Sequence, residues 1–134
     1  MAKILARTFE DNSDLGHRGL QAYPVLVGYA ANSRLITYKT LSEVMHYGNA
    51  RVLNKPLGCI MGWCKLNNLP ALTAVVVTTK DGQPGPGLTT MEGKNWPAAI
   101  HSVFQFDWFS IVPPTHEELK KAGRLASTGA LDAE

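Results

Sequence analysis

Two cysteines and four histidines are the side chains best suited to nucleophilic or metal chemistry in this 134-residue chain, and their spacing supports neither. Cys59 and Cys64 fall five positions apart in one helical stretch, at different azimuths, so a disulfide between them is geometrically poor. The small-hydrophobe role common to buried thiols fits both. His17, His46, His101 and His116 share no metal-ligand spacing with one another or with the cysteines. His101 and Asp107 lie six apart on an expected helix and would not share a face well. There is no Ser, His and Asp arrangement and no Walker motif, and Gly82-x-x-Gly85-x-Gly87 lacks the topology and helix start of a dinucleotide site. No metal, cofactor or catalytic residue is expected. Binding is the chemistry left, and the side chains suited to it are Tyr38, Lys39, Asn49, Arg51, Asn54, Lys55 and Lys80.

The charge distribution points the same way. Residues 15 to 80 carry seven bases against one acid, Glu43, while the flanks are acidic on balance and bring the whole chain to only +2. A block of one sign on one part of a chain suits an anionic partner, although a solvated basic surface would carry the same block. At 14.6 kDa the chain fits one domain able to bury a core without disulfides or metals. Its 45% hydrophobic and 18% charged residues are those of a soluble globular protein. No apolar run reaches the length of a membrane span, so no membrane partner is expected. The first residues lack the sections of a secretory signal, which makes a cytoplasmic location the expectation.

The elements that would position the basic residues lie between Ile36 and Val77. Apolar residues at Leu20, Tyr23, Val27 and Ala30 predict a first helix over 20–31, with Pro24 tolerated only near its first turn. Thr37 is a good N-cap for a helix over 38–46 that buries Leu41, Val44 and Met45, with Gly48 as the left-handed residue closing it. Asn49 can cap the next helix, and Pro56 predicts a break near Asn54 with a fresh helix over 56–67. In that helix Leu57, Ile60, Met61 and Cys64 face inward, and Gly58 and Gly62 form a smooth strip for close approach. Leu72 to Thr79, rich in β-branched residues, reads as a buried strand followed by a turn at Lys80-Asp81-Gly82 and an irregular wing or loop. Asn95 can cap a helix reaching Asp107, and Thr115 with Glu118 is a capping box for a last helix to about Leu125. The fold expected is α+β and mostly α: a winged helix-turn-helix core over 15–112 with a short β-hairpin wing. An N-terminal arm over 1–14 precedes it, and a C-terminal helix with a frayed tail over 113–134 follows.

Thr37-Tyr38, Ala50-Arg51 and Lys55-Pro56-Leu57 resemble the DNA-binding domain of alkylguanine-DNA alkyltransferases and alkyltransferase-like proteins, over about residues 22–82. The resemblance implies that Tyr38 helps rotate a nucleotide out of the duplex and that Arg51 fills the vacancy. The family's Pro-Cys-His-Arg, or Pro-Trp-His-Arg in its non-enzymatic members, falls here on Pro70-Ala71-Leu72-Thr73. Alkyl transfer needs a thiolate activated by a nearby base, and alanine supplies none. The run from Leu69 to Gly85 is more similar to small bacterial or phage proteins sharing this scaffold.

The residues on their own leave alternatives open. Tyr38 also suits packing against the first helix, and Arg51 also suits a solvated helix face. If functional, Arg51 and Lys55 lie one turn apart with Asn54 beside them, a face able to meet phosphates and base edges in a major groove. Two functions are expected from these features. The first is non-enzymatic binding of double-stranded DNA. The second is a protein-binding inhibitor or adaptor, of phage or mobile-element type, for which the exposed-looking Trp63 and Trp96 would be anchors.

Overall fold

The computed structural model describes residues 15–85 and 95–127. The expected N-terminal arm, most of the irregular segment after Gln83 and the frayed tail lie outside them. The described chain is mostly helical, with a small parallel sheet. In order it forms α1 (Leu15–Ala31), β1 (Ile36–Thr37), α2 (Tyr38–Val44), a 3-10 turn (Ala50–Leu53) and α3 (Asn54–Leu66). A second 3-10 turn (Leu72–Val75), β2 (Val76–Val77), α4 (Trp96–Gln105), a third 3-10 turn (Trp108–Ser110) and α5 (His116–Ser127) complete it.

α1, α3 and α5 pack on one another around Leu26, Ile60, Cys59 and Leu119, all essentially without solvent exposure. Small residues allow that approach. A Cβ on Gly16 would overlap the backbone carbonyl of His116, and one on Gly123 would collide with Cys59 Sγ. The strip expected at Gly58 is not such a contact, since nothing lies within 4 Å of a Cβ built there. At the α1–α5 junction the rings of His17 and His116 stack with centroids 4.0 Å apart. Trp63, expected at the surface, is only 6% exposed; its Nε1 donates to Glu118 Oε2 at 3.3 Å and its ring meets Tyr23 edge-on.

Helix starts follow the expected caps. Thr37 Oγ1 accepts from Thr40 N at 3.0 Å, and Thr115 with Glu118 forms the reciprocal box that opens α5. Asn95 is the exception. Its backbone is near-helical (φ −88°, ψ 8°) rather than extended, and no side-chain cap bond forms. α4 also stops two residues short of Asp107, which instead caps the following 3-10 turn by accepting from Phe109 N.

α1 and α3 end within a residue of expectation, at Ala31 and Leu66, while α2 does not. α2 closes at His46 (φ +60°) and not at Gly48, with His46 N donating to Glu43 O and Tyr47 N to Ser42 O. This is a Schellman closure with histidine at the left-handed position. The same pattern recurs at Ser33 after α1 and Asn68 after α3, whose neighbours Arg34 N and Leu69 N reach back to Tyr29 O and Cys64 O. Val44, expected inside, is 53% exposed, because Met45, four residues after Leu41, takes the inward position. α1 starts at Leu15, five residues early, which places Pro24 in its middle; the proline ring faces solvent, where the carbonyl it leaves unpaired costs least.

The largest correction concerns residues 72–79. Only Val76 and Val77 are extended, and they pair in parallel with Ile36 and Thr37, not with a hairpin partner. Leu72–Val75 coils into a 3-10 turn wedged among α1, α3 and α4. Burial on every side, at 0–6% exposure, selects β-branched residues without requiring a strand. The only antiparallel contact among the described residues here is a single bridge between Val77 and Pro84.

Candidate nucleic-acid interface

The basic residues of the central stretch sort into two groups. Arg18 is occupied: its guanidinium donates to Met45 O at 3.2 Å and to Gln21 Oε1 at 3.1 Å, and lies 4.6 Å above the Tyr47 ring. It secures the end of α2, and Lys65 is half-buried and also engaged. Lys39, Arg51, Lys55 and Lys80 are exposed, and none has an ion-pair partner among the described residues. Arg34, absent from the sequence-based set, is exposed in the same way on the approach to β1. Its isolation from any motif left no signal beyond its charge.

Local structure places these groups on adjoining elements. Lys39 sits in the first turn of α2, whose start Thr37 fixes. Arg51 lies in the 3-10 turn that packs against both α2 and α3. Asn49 Oδ1 accepts from Arg51 N at 2.8 Å, so this side chain works as a cap, leaving its amide nitrogen and one oxygen lone pair for a partner. Asn54 and Lys55 are exposed at the start of α3, and Pro56 fits in the helix's first turn, where it displaces no helical hydrogen bond. Lys80 tips the turn after β2, a strand that also touches α2. Gly82 holds that turn in the left-handed region (φ +65°), with Thr78 N donating to Gln83 O at 2.8 Å.

Tyr38 stands apart from the other candidates. Its ring is half-buried, and burial raises its phenol above the ordinary value, partly offset by a hydrogen bond from the Gly85 backbone. A Cβ at position 85 would overlap the phenol oxygen. The side chain is committed to the protein, and a role in rotating a nucleotide would require breaking that contact.

Where the resemblance puts the nucleophile, Pro70 and Ala71 line a cleft of about 490 Å³ together with Met61, Cys64, Asn68 and Ser102. Burial pushes the Cys64 thiol up to about 11 and raises Cys59 too, so both are protonated at neutral pH. No group of three or more metal-ligating side chains occurs among the described residues. Nor is any described helix long and apolar enough to cross a membrane. Cys59, Cys64, Tyr23, Tyr38 and Tyr47, buried or half-buried, share one consequence. Each has its folded value raised, so each contributes stability present below the unfolded value, 9.0 for Cys and 10.0 for Tyr, and lost as pH rises through the folded one. Unfolding free energy should be flat to about pH 8.5 and decline from pH 9 to 11, as urea titrations across that range would register. Cys64→Ala should remove part of the early decline, with Cys59 supplying the remainder.

No protein-family model, curated protein or solved structure matches the chain. The resemblance to alkyltransferase DNA-binding domains rests on the residues quoted for it.

Proposed function

We propose that the chain is a non-enzymatic double-stranded-DNA-binding protein with a winged helix-turn-helix arrangement, in which α2 and α3 form the helical pair and the turn carrying Lys80 is the wing. The observation that carries this reading is the set of exposed cations Lys39, Arg51, Lys55 and Lys80, without ion-pair partners among the described residues, on elements that touch one another in sequence. Charges tied down in ion pairs would have no electrostatic capacity left for phosphates; these retain it. Arg51 with Asn54 and Lys55 forms the reading edge, and Asn49 contributes by fixing the start of the Arg51 turn. Fluorescence anisotropy with a short duplex at low salt tests the proposal. Arg51→Ala is expected to weaken binding by about 1–3 kcal/mol, and an unchanged curve would sink the reading.

A second reading, a protein-binding adaptor or inhibitor, draws on Phe109 and Val112, which are 77% and 85% exposed between α4 and α5. Trp63 no longer supports it, being buried. Replacing Phe109 and Val112 by serine separates the readings, because DNA affinity would be indifferent to them and a protein interface would not.

A further inference from the structure

We infer that Tyr38 is a positioning residue, a fastening that holds the Lys80 turn against α2, and that it does not itself contact the ligand. The effect on DNA rests on the reading above; the fastening does not. β1 and β2 share only two residue pairs, and the Val77–Pro84 bridge adds one more contact. So short a ladder fixes a turn poorly by itself. The Tyr38 phenol supplies a tie from the helix side, with its oxygen accepting from the Gly85 backbone at a place where a Cβ would displace the phenol. Pro84 and Gly85 are both buried. Between these ties the chain is closed by Thr78 N to Gln83 O at 2.8 Å and Gly82 N to Thr78 O at 2.9 Å, and Asp81 N donates to Thr78 Oγ1 at 3.2 Å.

Lys39 follows Tyr38 directly, and Lys80 tips the fastened turn. The phenol therefore joins the two elements that carry these cations. A Lys80 held in place before binding loses less freedom when it meets a phosphate than one on a loose turn.

A double-mutant cycle tests this with a duplex as the probe. Lys80→Ala is expected to weaken binding about 3–10-fold in the parent but less than about twofold in Tyr38→Phe, because a loosened turn gains little from its lysine. Arg51→Ala should cost the same factor in both backgrounds, a pattern that general loss of stability would not produce. Equal Lys80→Ala factors in the two backgrounds would overturn the proposal. Amide exchange in the free protein provides a readout independent of DNA: the Thr78 and Gly82 amides should exchange at least about tenfold faster in Tyr38→Phe, with α1 unchanged. Unaltered exchange there overturns the fastening whatever the duplex does. Faster exchange in a protein that binds no DNA keeps the fastening and removes the DNA reading. Should Tyr38→Phe fail to fold, Gly85→Ala, whose methyl displaces the phenol, is expected to show the same acceleration.

Discussion

Raising salt from about 50 to about 200 mM is expected to weaken duplex binding roughly a hundredfold, since each phosphate contact releases close to one counterion and Lys39, Arg51, Lys55 and Lys80 are taken to make one each. The logarithmic plot of affinity against salt should then have a slope of about −3.5. Each Lys→Ala replacement among the four should flatten that slope by about one, and Arg18→Ala should leave it alone. Arg18 carries the same formal charge, but its guanidinium is spent on Met45 O and the Tyr47 ring. A slope near zero, or one that Arg18→Ala flattens as much as Arg51→Ala does, would count against the proposed interface.

Ile60→Ala should cost about 2–5 kcal/mol of folding stability, the range for emptying a large aliphatic site that cannot collapse. Ile60 has no solvent exposure and lies in α3, the helix that packs against both α1 and α5. Those neighbours are held close by Gly16, Gly19 and Gly123, so little side chain is available to move into the void. Urea unfolding would show a lower midpoint at an unchanged slope. Val44→Ala, at a position 53% exposed, is the matched control and should stay within about 0.5 kcal/mol. A loss below about 1 kcal/mol for Ile60→Ala would mean that the three-helix core is looser than the burial of its side chains indicates.

Where a side chain caps, the start was legible in the sequence because a cap is a local event; the start of α1 at Leu15 and the backbone at Asn95 were not. Thr37, Asn49 and the Thr115–Glu118 pair each satisfy amides two or three residues away. The ends of α1 and α3 fell within a residue of expectation, at Ala31 and Leu66, but the close of α2 was not legible, because the usual cue is glycine and here His46 takes the left-handed position ahead of Gly48. Residues 72–75 were misread for a different reason: a run of apolar and β-branched residues reports burial, and burial between three helices is compatible with a 3-10 turn as well as a strand. Trp63 could not be placed because the group that satisfies its indole, Glu118, belongs to a distant helix. At the candidate interface, the exposed cations were visible from charge alone. Tyr38 was named too, with packing as its alternative, but its contact was not legible, since the Gly85 backbone that engages it arrives from beyond β2.

The pairing of Ile36 with Val76 has a kinetic consequence. It joins points separated by α2 and α3, so forming it encloses a long loop whose entropy must be met before two short strands return anything. The α2–α3 region is therefore expected to acquire its helices first and its sheet last. On unfolding the order reverses, and the sheet would part while the three-helix core still stands, freeing the Lys80 turn before the rest of the molecule melts.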